Sequence, residues 1–192
     1  MRAMLHYKKF VDLDLQLRAT RLGRLSKETQ RCLPSSSWRR LNDIQEAADE
    51  NQYFFESLVN FQDYNFQIRD SDNPVTFHSS TPISASQMHR NQAVLHSLAR
   101  EWSSEGKSER EDCFNPILSE LRRHLPVTEE NIFAQRVLVP GAGLCRLPVE
   151  IASLGYATQA NEFSMFMLTA SHFVLNALDE SNCFTIFPWV DK

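Results

Sequence analysis

The spacing of apolar side chains divides the chain into a long helical part and a short stretch of different texture. Leu5, Phe10, Leu13, Leu17 and Leu22 recur near the helical period between Leu5 and Gln30, with charged residues in the gaps, which predicts an amphipathic helix. Leu33, Pro34 and the serines through Ser37 form a break. From Trp38 to Phe61 the helical spacing returns through Leu41, Ile44, Ala48, Phe55, Leu58 and Val59, predicting a second helix packed on the first. Gln67 to Ser84 is polar and turn-rich and reads as a long connection, with Ser84 or Ser86 as the cap of the next helix. That third helix, Ala85 to Ser104, presents Met88, Val94, Leu95, Leu98 and Trp102 and stops by Gly106. After the charged segment Lys107 to Asp112, Asn115 and Pro116 look like the cap and first turn of a short helix through Ile117, Leu118, Leu121 and Leu125.

At Arg136 the texture changes. Val137, Leu138 and Val139 form a compact run without polar alternation, as expected of a strand buried on both faces of a parallel sheet. A helix from Leu144 to Leu154 closed by Gly155, a strand at Tyr156 to Asn161, a helix at Ser164 to Ala177 and a third strand at Phe184 to Phe187 complete the pattern. Strand, helix, strand, helix, strand is half of a doubly wound α/β domain. The expected organisation is thus α/β, with a helical region over residues 1–130, a loop near 67–84, and a partial parallel-sheet domain over 131–192.

Composition removes several classes. The 192 residues include 42% hydrophobic and 23% charged side chains, which excludes collagenous and wholly disordered chains. A net charge of −4 supplies no basic field for nucleic acid. No signal-peptide core opens the chain and no apolar run is long enough to span a bilayer, so the expected setting is the cytoplasm, with the nucleus as a second compartment and no membrane. Cys32, Cys113, Cys145 and Cys183 lie far apart, as reduced thiols would, and the histidines show no metal-ligand spacing. No metal is expected.

Only 5 residues are glycine, and Gly141 and Gly143 fall between a buried strand and a helix start. Backbone without a β-carbon turns sharply there and comes close to a ligand, while the helix start offers N–H donors. Beyond them, at the end of the second expected strand, stands Glu162, where an adenosine-binding fold needs a carboxylate for the ribose hydroxyls. A dinucleotide fold wants a small residue at the sixth place of the motif, which here is Arg146, so NAD and FAD are disfavoured. S-adenosylmethionine, which carries no phosphate, fits better. Cys145 at the helix start could be a reactive thiol, although a buried space-filler is the simpler reading. Phe163, Phe166 and Phe173 read as core, with Phe163 also placed to pack against adenine.

The stretch Val139-Pro-Gly-Ala-Gly-Leu-Cys-Arg-Leu147, then Glu150 to Ala152, Leu154 to Ala157, Asn161-Glu-Phe-Ser164 and Phe173 to Asn176, resembles the carnosine N-methyltransferase family. Upstream the likeness continues through Leu98 to Ser103, Gly106, Glu109, Arg110, Cys113, Pro116 and Ile117, and it ends at Pro188 and Trp189. The resemblance implies a Rossmann-like class I methyltransferase domain, of which three parallel strands with their helices would be present. It also implies an enzyme that uses S-adenosyl-L-methionine to methylate an imidazole nitrogen of carnosine, giving anserine. Gly141 would then lie under the cofactor, with Gly143 in the same turn, Glu162 would hold the ribose hydroxyls, and Arg100 would pair with the methionine carboxylate. An arginine fork suits a carboxylate because it makes two charge-assisted hydrogen bonds. The family has glutamine where this chain has Ser97, and a third glycine where it has Cys145.

By the same resemblance the acceptor site lies in a second half of the fold beyond the third strand, so the chain reads as an N-terminal part and no catalytic residue is assigned. The expected partners are a small-molecule acceptor, carnosine or a related imidazole dipeptide, and a second copy in a homodimer. Two other readings stay open: a truncated binding module without catalysis, and a methyltransferase for a different small acceptor.

Overall fold

A computed structural model describes residues 1–69 and 84–190. Residues 70–83, the bulk of the connection expected near 67–84, lie outside the described residues. The chain divides into two compact units, residues 1–92 with 179–192, and residues 93–178.

The first unit contains α1 (Arg2–Leu5), α2 (Tyr7–Gly23), α3 (Lys27–Cys32) and α4 (Ser36–Arg69). The single helix expected from Leu5 to Gln30 is therefore interrupted: Ser26 caps α3 by accepting the Thr29 N–H at 3.1 Å, which gives the chain a fresh helix start. α1 and α2 pack on α4. Tyr7 stacks at a tilt on Phe55 with ring centroids 5.3 Å apart, and Leu15, Ile44, Ala47 and Val190 form a second cluster. The buried face of α2 is not the one the spacing selected. Leu5, Phe10, Leu13 and Leu17 are exposed, while Tyr7 and Leu15 are buried with Val11 packed beside them. This region carries two apolar stripes at helical spacing, and contact with α4 decides between them.

No strand forms at Phe184 to Phe187. Asn51, fully buried on α4, donates to the Phe187 carbonyl at 2.9 Å and accepts the Phe187 N–H at 2.8 Å. One side-chain amide thus satisfies backbone groups that a neighbouring strand would otherwise take. The Phe184 ring lies 5.6 Å from Tyr53 and 5.5 Å from Phe54. The expected third strand is instead an irregular segment fastened to a helix.

The second unit begins inside α5 (Ala85–Trp102), which Ser84 caps by accepting the Gln87 N–H at 3.3 Å. It continues through α6 (Lys107–His124), β1 (Arg136–Pro140), α7 (Arg146–Ser153), β2 (Ala157–Asn161) and α8 (Met165–Asn176). α6 begins at Lys107 and carries Pro116 within it, where a new helix start was expected. The early start follows from Arg110, a buried first-turn arginine whose guanidinium donates to the carbonyls of Arg100 and Ser103 at 2.8 and 2.7 Å. That anchor orders the charged segment, and Pro116 sacrifices one helical hydrogen bond.

β1 and β2 pair in parallel, from Arg136 opposite Ala157 to Pro140 opposite Asn161. Val137 and Val139 face a cluster of Leu118, Ile151 and Tyr156, whereas Leu138 is 60% exposed. Burial on both faces of β1 is thus not observed, because the described helices cover one face of this pair. Tyr156 closes the covered side by donating its hydroxyl to the Leu125 carbonyl at 2.7 Å.

Candidate functional site

Between the end of β1 and the start of α7 the backbone enters the left-handed region three times, at Gly141 (φ 63°), Gly143 (φ 56°) and Cys145 (φ 65°). The two glycines serve different ends. A β-carbon on Gly141 would meet nothing within 4 Å, so its side faces open space. A β-carbon on Gly143 would lie 2.9 Å from Glu101 Oε1, so the space beside this glycine already belongs to a carboxylate. Cys145 holds the left-handed conformation with a side chain present, at a cost of roughly 1–2 kcal/mol relative to glycine.

Two carboxylates grip this turn. Glu162, just past β2, accepts the Gly143 N–H on Oε2 at 2.9 Å and the Ser164 N–H on Oε1 at 2.7 Å. Ser164 then caps α8 by accepting from Met167. The Ser164 N–H, followed by those of Gly143 and Phe163, holds the Glu162 carboxyl below the usual carboxylate range despite some desolvation. Glu101, on α5, is buried and accepts the Leu144 N–H at 3.1 Å. Burial pushes its carboxyl up, against the opposing pull of Arg100 and of the Arg146 and Leu144 N–H groups.

The neighbouring Trp102 donates its indole N–H to the Leu144 carbonyl at 3.1 Å. Arg146, the residue that departs from the dinucleotide pattern, lies over the Trp102 ring at 5.1 Å and donates to Glu150 at 2.8 Å. Arg100 is half exposed, with Nη2 3.5 Å from Glu101 Oε1. Arg100, Gly141 and Gly143 line one open cavity of about 320 Å³, together with Glu101, Arg110 and Cys113. That volume sits at the low end of small-molecule sites, roughly 300–1,000 Å³. Glu162 is outside the lining and joins the site through Gly143.

Cys145 is buried, and burial followed by the charges of Glu101 and Glu162 raises its thiol pKa, with Ser171 opposing. A reactive thiolate is the wrong description of this sulfur. Phe173 is core, but Phe163 is 99% exposed beside Glu162, so the core reading fails there. Among the described residues no cluster of His, Cys, Asp and Glu could hold a metal ion, and no helix is long and apolar enough to cross a membrane.

Glu101 does not stand out from the spacing, and Trp102 reads there only as an apolar position, not as a donor to the glycine turn. One signal was present: Glu101 follows Leu98 by three positions and Val94 by seven, which puts a carboxylate on the apolar face of α5. Buried acids without a specific task are rare.

A parallel βαβ unit whose first turn is bonded back to an acid just past the second strand makes this a small α/β unit compatible with part of a methyltransferase fold. A family model described as carnosine N-methyltransferase matches residues 77–192. The chain belongs to the carnosine N-methyltransferase family. It is 35% identical over 168 residues to the carnosine N-methyltransferase of Mus musculus, covering 88% of this chain and 42% of the relative. It is 46% identical over 101 residues to "Carnosine N-methyltransferase unmet" of Drosophila melanogaster, covering 53% of this chain and 22% of the relative. To the carnosine N-methyltransferase of Schizosaccharomyces pombe it is 32% identical over 188 residues, covering 96% of this chain and 49% of the relative. The chain thus spans less than half the length of each of these relatives.

Proposed function

We propose that this chain carries the S-adenosylmethionine-binding part of a carnosine N-methyltransferase, within the first half of a Rossmann-like domain that starts near residue 131. S-adenosylmethionine would supply an activated methyl group, and an imidazole nitrogen of carnosine would receive it, giving anserine. The carnosine acceptor rests on the relatives' names. The cofactor rests on residues of this chain. Gly141 offers backbone with open space beside it, where a ligand can approach closely. Arg100, half exposed at the same cavity, would receive the methionine carboxylate with a charge-assisted contact. Glu162 is held ionised by backbone donors, as an acceptor of two ribose hydroxyl protons must be. The observation that carries the reading is the bond from Gly143 N–H to Glu162, which joins the glycine turn to the acid in one site.

Titration calorimetry with S-adenosylhomocysteine, the demethylated cofactor, tests this directly. Saturable binding is expected, weakened about tenfold or more by Glu162→Gln and by Arg100→Ala, since each removes charge from an expected contact. Absence of saturable binding, or binding that neither substitution alters, refutes the cofactor assignment. Formation of anserine from carnosine, followed by mass spectrometry, tests the acceptor in a chain of the relatives' full length.

A further inference from the structure

Leu144 is fully buried at the exit of the glycine turn, and two adjacent side chains of α5 hold both of its backbone polar groups. Its N–H goes to Glu101 and its carbonyl receives the Trp102 indole N–H, each at 3.1 Å. We propose that Glu101 and Trp102 are positioning residues that fix the register of the glycine turn against Arg100, so that cation, turn and Glu162 present one geometry to the cofactor. The proposal rests on the cofactor reading above.

Three observations carry it further than ordinary packing. First, Glu101 does two things at once: Oε2 accepts from Leu144 while Oε1 lies 3.5 Å from the Arg100 guanidinium. A neutral glutamine could accept the same N–H without the cost of burying a charge. What the charge adds is attraction for Arg100, which tethers that half-exposed side chain beside the turn. Second, the fit is tight. The missing β-carbon of Gly143 makes room for the Glu101 carboxylate, so turn and helix are complementary in shape as well as in hydrogen bonding. Third, the end of α5 is itself braced. Arg110 takes the carbonyls of Arg100 and Ser103, and a β-carbon on Gly106 would strike the carbonyl oxygens of Ala99 and Arg100. A braced helix end transmits a fixed position to the residues it carries.

The test compares Glu101→Gln, Glu101→Ala and Trp102→Phe in the full chain by three readouts: thermal midpoint, amide hydrogen exchange at Leu144, and S-adenosylhomocysteine affinity by calorimetry. Glu101→Gln should keep the Leu144 amide protected and the midpoint at or above wild type, yet weaken binding about tenfold, as loss of a charge-assisted contact does. Glu101→Ala should in addition expose the Leu144 amide. Trp102→Phe, which keeps a ring under Arg146 but loses the donor, should weaken binding several-fold. Wild-type affinity in Glu101→Gln and Trp102→Phe overturns the proposal, as does a loss of affinity that only follows a fall in midpoint. A wild-type chain that binds no S-adenosylhomocysteine overturns the cofactor reading itself, and the positioning role with it.

Discussion

Alanine at Gly143 and alanine at Gly141 should behave differently, although both glycines hold nearly the same backbone conformation. Each substitution forces a side chain into the left-handed region, which costs roughly 1–2 kcal/mol. At Gly141 the added methyl meets nothing, so the cost stops there. At Gly143 the methyl would lie 2.9 Å from Glu101 Oε1, and the carboxylate must swing aside. That movement strains the Oε2 bond to Leu144 N–H, a buried hydrogen bond to a charged group whose complete loss would cost about 1.5–3 kcal/mol. Gly143→Ala should therefore lose more than Gly141→Ala, up to about 2.5–5 kcal/mol if the Leu144 bond is given up entirely. Urea unfolding followed by circular dichroism, with slopes held constant, measures both. In a Glu101→Ala background the excess penalty of Gly143→Ala should vanish, because the atom it strikes is gone. Equal losses at the two glycines, or an excess that survives removal of Glu101, would refute the reasoning.

Three further outcomes are expected. The Glu162 carboxyl is depressed in the folded state, so its contribution is complete above the unfolded carboxylate pKa of about 4.3 and is lost as pH falls through the lower folded value. The gap in thermal midpoint between wild type and Glu162→Gln should close on acidification below about pH 4; a gap that is flat with pH would disprove it. Glu101 has the opposite sign: because burial raises its pKa, wild-type stability relative to Glu101→Gln should improve as pH falls from the raised value toward the ordinary one, read from the same thermal series. Asn51→Leu leaves the Phe187 N–H and carbonyl without their partner and should cost about 2–4 kcal/mol, with residues 180–190 becoming the first site of limited proteolysis.

How much of this was legible in the chain depends on what each feature rests on. Val137 to Val139, the glycines and Glu162 were readable because strand, turn and acid lie close together in sequence, and the paired strands with their intervening helix appear within a residue or two of expectation. Features set by distant contacts were not. The choice between the two apolar stripes near α2 depends on α4, and the start of α6 at Lys107 depends on Arg110 reaching back to α5. Phe184 to Phe187 has strand-like composition, but a strand is defined by its neighbour, and here the neighbour is one asparagine more than 130 residues away. The helix stops before Gly106 as its spacing predicts, but this residue has φ −76° and is glycine because carbonyl oxygens crowd it, a contact that sequence does not display. Glu101 was overlooked since a lone acid among apolar residues looks like ordinary surface until its partner, the Leu144 N–H, is brought to it by the fold.

The two backbone bonds to Glu162 have an entropic consequence. A carboxylate has about four lone-pair directions, and Gly143 and Ser164 use two of them, leaving others for incoming hydroxyls. Its rotamer is chosen before any ligand arrives, so binding a vicinal diol would forfeit little side-chain freedom. The same rigidity removes any means of compensation. A diol lacking one hydroxyl would face a fixed, ionised oxygen that cannot turn to find another donor, and selectivity against deoxy ligands would follow from immobility.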